Sequence, residues 1–113
     1  MSDHLTLGIS KRGGTTVVAV AGELDIASAP MLKDAIERAQ KDDADDLVVD
    51  LRDLEFMDVS GLRVLIRAHQ RAEEAGGRLR LANVQEPVTR LLTLTGTNEI
   101  LSIEELPGEP DRG

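Results

Sequence analysis

The chain has 113 residues, a formal net charge of −8, no cysteine, tryptophan or tyrosine, and a single phenylalanine, Phe56. That length fits one domain around one core, and the 41% hydrophobic content must be almost wholly aliphatic. The acidic balance and missing rings disfavour nucleic acid and anionic lipid as partners, and the missing thiols exclude disulfides, thiolate metal sites and a cysteine nucleophile.

Leu5, Leu7 and Ile9 alternate with polar or small residues, which predicts a half-buried strand. Gly13-Gly14 is a turn signal. Thr15 to Ala21, rich in Val and Thr, predicts a second, more buried strand closing an antiparallel hairpin. Ser28 offers an N-cap with Pro30 in the first turn. Leu32, Ala35, Ile36 and Ala39 share one face of the helix that follows, while Lys33–Glu37 and Asp34–Arg38 are i,i+4 pairs on the other face. Asp42 to Asp46 reads as a solvated acidic loop. Leu47 to Leu51 is a short buried strand.

A second helix is expected over Gly61 to Glu74, with Leu62, Leu65, Ile66 and His69 facing the core and Gly76-Gly77 ending it. Leu79 and Leu81 alternate in a fourth strand. Asn83 and Glu86 resemble a capping box with Pro87 in the first turn. Val88, Leu91 and Leu92 form the buried stripe of a third helix that Gly96 closes. Ile100 to Ile103 is a last strand. Two prolines and two glycines in residues 105–113 predict a disordered tail after a domain over residues 1–104. The order predicts an α/β domain with parallel pairing and right-handed crossovers after the hairpin. Met1-Ser2-Asp3-His4 lacks the features of a signal peptide, and no apolar run reaches the roughly 20 residues that span a bilayer. The expectation is a cytoplasmic protein with no membrane insertion.

Two segments place polar residues where apolar strands end, a position that carries function in α/β domains. They are Gly22-Glu23-Leu24-Asp25 and Asp58-Val59-Ser60-Gly61-Leu62. The first resembles the turn after the second strand of STAS domains. Leu51 to Leu62, with Asp53-Leu54, Phe56-Met57-Asp58 and Ser60-Gly61-Leu62, resembles their central signature. Pro87-Val88, Arg90-Leu91-Leu92 and Leu94-Thr95-Gly96 resemble the third-helix segment of the bacterial members. Together these motifs run from about Leu5 to Ile103.

The resemblance implies a mixed sheet with helices mainly on one face, in a single-domain anti-sigma factor antagonist. It implies no cofactor and no catalysis. Such a protein binds an anti-sigma factor that is a histidine-kinase-like serine kinase, and so frees a sigma factor. The kinase phosphorylates the serine directly after the signature aspartate, and a metal-dependent phosphatase reverses this. A phosphate there brings about −1.5 to −2 charges to a helix N-terminus. In this chain the acceptor position holds Val59, which has no hydroxyl. The readings left open are a permanently active antagonist controlled by its abundance, Ser60 as a replacement phosphoacceptor, and a STAS role without phosphorylation. One such role is a subunit bound to the ATPase of a phospholipid-type ABC transporter. The plain alternative for Ser60 is an N-cap of the second helix.

The candidate partner-binding residues are Glu23, Asp25, Asp58, Val59, Ser60, Gly61, Arg63 and Arg67. Arg63, Arg67 and Arg71 recur every four residues and form a basic stripe that suits an acidic partner surface. Against that stands an ordinary solvated face with Arg71 and Glu74 paired locally. Asp25 is expected to shape its turn by accepting backbone N–H groups, and His4 to lie on the surface. His69 is about 13 Å of helix from Ser60, too far for a Ser–His pair. No catalytic constellation or metal site is predicted, and the reading also admits a homodimer.

Overall fold

The computed structural model describes residues 4–42 and 45–104. In chain order these form β1 (Leu5–Arg12), β2 (Thr15–Leu24), α1 (Ala29–Lys41), β3 (Asp46–Met57), α2 (Val59–Glu74), β4 (Arg78–Ala82), α3 (Glu86–Thr95) and β5 (Ser102–Glu104), with a short 3-10 turn at Thr97–Glu99. The strands lie side by side in the order β1-β2-β3-β4-β5. β1 and β2 form the expected antiparallel hairpin, and the other three pairings are parallel.

One face of this mixed sheet is apolar. Val18 and Val20 of β2, Leu47 and Val49 of β3, and Leu79 and Leu81 of β4 lie on it, with Val18, Val49 and Leu81 in register across the three strands. They form a single core with Leu32 and Ile36 of α1, Leu62 and Leu65 of α2, and Val88 and Leu92 of α3. Leucine and valine thus build a core without rings, as the composition requires. The opposite face mixes Val17, Val48 and Ala82 with charged residues. Arg80 donates to both carboxylate oxygens of Asp46, at 2.9 and 2.8 Å, and to Glu104, so one side chain links β3, β4 and β5. Burial alone would raise the Asp46 carboxyl, but the Thr15 hydroxyl and the Arg80 guanidinium outweigh it and hold the group below its ordinary value.

Several boundaries differ from the sequence reading. β3 runs from Asp46 to Met57, well past Leu51. Its buried residues Leu51, Leu54 and Met57 recur every third position, a spacing that does not look like a strand. The pairing with β2 explains it. Register shifts lie between Ala19 and Ala21 and between Gly22 and Glu23 of β2, where β3 carries an extra residue each time. Two bulges therefore keep all three side chains on the core face. Asp46 belongs to β3 and not to a solvated loop; Asp43 and Ala44 lie outside the described residues, as does the tail at 105–113.

Ser28 sits at the N-cap position of α1 but makes no capping bond. Its hydroxyl donates back to the Glu23 carbonyl and accepts from the Asp25 N–H. The expected capping box at α3 is absent: Asn83 takes φ 56° and its side chain donates to Asp50, while Gln85 is the residue before the helix. Gly96 does end α3, in the left-handed conformation. β5 starts at Ser102, two residues later than expected, because the 3-10 turn occupies the chain before it. On α1 the Lys33–Glu37 pair forms at 3.0 Å. Asp34 and Arg38 form no pair among the described residues.

Candidate functional site

The C-terminal ends of β2 and β3 lie side by side, with Glu23 opposite Phe56 and Leu24 opposite Met57. The chain leaves each strand into a helix, so the two turns singled out in the sequence emerge together. Asp58 is the joint. Its N–H donates to the Leu24 carbonyl at 3.1 Å, extending the strand pairing by one step. Its side chain then accepts from the Ser60 N–H at 2.8 Å and caps α2. Ser60 is therefore not the cap, and α2 begins at Val59, two residues before the predicted start. The aspartate wins because it stands at the last extended residue, where a short acceptor reaches the second helical N–H.

Gly61, one of the candidate contact residues, packs on the strand beneath the turn. It is buried, and a Cβ there would lie 2.5 Å from both Cγ and Cδ2 of Leu24 and 3.1 Å from Cγ of Met57. Only glycine lets the first turn of α2 rest directly on the end of β2.

The first turn is built around Asp25. One carboxylate oxygen accepts from the N–H groups of Ala27 and Ser28, at 3.0 and 3.1 Å, as the turn chemistry predicted. The other oxygen lies 3.2 Å from His4 Nε2. The His4 imidazole, followed by the bonds from Ser28, holds the Asp25 carboxyl below its ordinary value. Gly22 makes this approach possible: it has φ 102°, and a Cβ there would sit 2.0 Å from the His4 carbonyl oxygen. His4, Glu23 and Asp25 thus bring three donor atoms within 4.8 Å of one another. Sequence spacing could not show this group, because the hairpin register makes it. Asp25 already spends one oxygen on the turn and faces the imidazole with both, so the arrangement works as a braced turn.

Between these polar anchors the surface is apolar. Val59 is 54% exposed and Ile26 is 78% exposed. They stand two residues beyond the paired Met57 and Leu24, so they flank the same joint. Phe56, next to Glu23, is also exposed. Asp58 and Ser60 are half-buried. Ile26 and Phe56 are not among the sequence candidates; the available signal was a large apolar residue just outside each polar turn segment, Ile26 after the first and Phe56 before the second, with no periodic partner. Arg63 and Arg67 are exposed on α2 and have no ion-pair partner among the described residues. Arg71 leaves the stripe: its Nε donates to Gln40 at 3.0 Å and its guanidinium lies 4.0 Å from Glu37, which ties α2 to α1 in place of the local Glu74 pair. His69 is buried on α2 beside Glu73 and has no contact with Ser60.

The STAS domain profile matches residues 7–108. The chain belongs to the STAS domain family. Among STAS relatives it is similar to the anti-sigma-B factor antagonist of Bacillus subtilis (strain 168), with 31% identity over 100 residues, 88% of this chain and 91% of that one. It is likewise similar to the anti-sigma F factor antagonist of Paenibacillus polymyxa, with 31% identity over 88% of this chain and 86% of the relative. A crystal structure of an anti-sigma factor antagonist from Mycobacterium paratuberculosis superposes with a TM-score of 0.81 at 30% identity, covering 91% of this chain and 87% of that one. Among the described residues no helix of this STAS domain is long and apolar enough to cross a membrane.

Two outcomes follow from the geometry. Asp58→Ala should lower stability by about 0.5–2 kcal/mol, the usual cost of a lost N-cap, while Ser60→Ala, whose hydroxyl caps nothing, should leave the urea midpoint nearly unchanged. Asp25 titrates lower in the folded protein than in the unfolded chain, so the stability it contributes is present above the ordinary carboxylate range and lost as pH falls through its folded value. His4→Ala should move the Asp25 midpoint upward, read by NMR titration of its carboxyl carbon.

Proposed function

We propose that this STAS domain is an anti-sigma factor antagonist, a binding module that occupies an anti-sigma factor and so frees a sigma factor for transcription. The observation that carries this reading is the joint at the ends of β2 and β3. It offers exposed apolar side chains, Ile26 and Val59, on a rigid frame made by Asp58, Gly61 and Asp25. Large apolar residues in full view, ringed by carboxylates and followed by the arginines of α2, suit a protein surface. The relatives from Bacillus subtilis and Paenibacillus polymyxa are named as antagonists of anti-sigma factors, which supports the main reading over an ATPase-bound subunit.

The partner is proposed to be an anti-sigma factor of the serine-kinase type, with the Asp58–Leu62 turn, Glu23, Asp25, Arg63 and Arg67 at the contact. Val59 carries the regulatory consequence. It occupies the first position of α2, more than half exposed, where the family's phosphate would stand. A valine there cannot be switched off by phosphate, and it adds apolar contact in place of a hydroxyl. The proposal is therefore a constitutively competent antagonist set by its abundance, with no need for the phosphatase. Ser60 is a poorer acceptor than its exposure in sequence suggests. It is half-buried, and a phosphate on it would crowd the Asp58 carboxylate that receives its own N–H.

Val59→Asp should weaken binding to the cognate anti-sigma factor at least about tenfold, or about 1.4 kcal/mol, by isothermal titration calorimetry. The same change should not destabilise the fold, because a carboxylate at a helix N-terminus is favourable; equal affinities for the two proteins would remove Val59 from the interface. Arg67→Glu should slow association and flatten its salt dependence with little change in dissociation, measured by stopped-flow at two ionic strengths. An unaltered on-rate would return the arginines to the status of a solvated face.

A further inference from the structure

We infer that a second copy of this chain docks along the free edge of β1, joining two sheets into one through a two-fold axis at Gly8. β1 is an edge strand eight residues long with β2 on one side only. Its outer backbone N–H and C=O groups are unpaired by any strand among the described residues, and it holds no proline or bulge that would blunt the edge. Beside it runs an apolar groove of about 440 Å³ between β1 and α1, lined by Leu7, Ile9 and Met31 with Asp34 and Arg38 at its rim. Ile9 is 54% exposed and Met31 37% exposed.

What selects a copy of the same chain is self-complementarity. An axis perpendicular to the sheet keeps the same face upward in both copies, so facing residues across the joint have side chains on the same side. With Gly8 on the axis, Leu7 faces Ile9 of the second copy, and Ile9 faces its Leu7. These are the two β1 residues that line the groove. On the other sheet face, Arg12 comes opposite His4 of the second copy. That position is an acidic corner: Glu23 pairs with the His4 backbone, and Asp25 and Glu23 bring their carboxylates to the imidazole. Arg12 is exposed and has no ion-pair partner among the described residues. At the rim of the groove Asp34 and Arg38 also have no ion-pair partner among the described residues, and under this proposal their opposite charges meet across the axis. One register therefore joins apolar to apolar and cation to anion, twice over.

The chain has no cysteine, which gives a direct test. A Cβ at residue 8 meets nothing within 4 Å, so Gly8→Cys should fold. Facing residues of antiparallel strands lie about 4.5–5.5 Å apart, within disulfide reach. Under mild oxidant Gly8→Cys should cross-link to a covalent dimer, while Thr6→Cys, which faces Ser10, should not. Sedimentation equilibrium of the full chain should show dimer growing with concentration. Arg12→Glu and Glu23→Arg should each weaken it at least about tenfold, and the double exchange should restore it. Within one chain those two residues are separated by roughly 26 Å of strand, so only contact between copies can give rescue. A chain that stays monomeric to near-millimolar concentration, a double variant no better than the singles, or equal cross-linking of the two cysteine variants would overturn the proposal.

Discussion

The contact of the first turn of α2 with the end of β2 is what the rest of the arrangement hangs on. Gly61 lies against Leu24 with no room for a methyl group, and Asp58 gives its N–H to the Leu24 carbonyl. These two contacts fix where α2 starts and how it leaves the sheet. The start of α2 in turn decides that Val59 faces outward at its first position, that Leu62 and Leu65 reach the core, and that Arg63 and Arg67 point to solvent. A larger residue at position 61 would lift the helix and break the alignment of both turns. The proposed recognition surface is thus a by-product of tight packing beneath it, which is how a small, almost wholly aliphatic domain can present a rigid patch.

The fold was legible in the sequence wherever one interaction dominated. Hydrophobic alternation marked β1, β2 and β4, and the helical stripes Leu32-Ala35-Ile36-Ala39 and Leu62-Leu65 marked the helices. The second half of β3 was not legible, because bulges convert a period of two into a period of three at Leu51, Leu54 and Met57. Caps were misassigned for a related reason. Ser28, Ser60 and Asn83 all have side chains able to cap, but each cap depends on backbone geometry that local sequence does not fix. Ser28 turns back to Glu23, Asn83 reaches across to Asp50, and Ser60 yields to Asp58.

The site was half legible. Its two polar turns announced themselves, and the family motifs placed them. Its apolar part did not, since an isoleucine between Asp25 and Ser28 carries no periodic signal. His4 was dismissed as surface, yet the hairpin register carries it 21 residues along the chain to Asp25. Long-range pairing of this kind has no local signature; only the strand register creates it.

Net charge poses a physical question for the proposed role, since a chain at −8 must approach a protein partner. At physiological salt charges are screened beyond about 8 Å, so the partner responds to the local surface and not to the total. Locally the joint is mixed: Asp25 is held by His4, Asp58 is spent on capping, and the first free charges along α2 are the two arginines. Two of the carboxylates nearest the apolar patch are thus engaged, which lowers their claim on a partner's cations, while Glu23 stays exposed beside Phe56; in the proposed role the central contact then falls to Ile26 and Val59. A phosphate at position 59 would reverse this balance, putting unpaired negative charge in the middle of the patch. Valine there keeps the patch apolar whatever the kinase does, and that chemical constancy is what the proposed constitutive role requires.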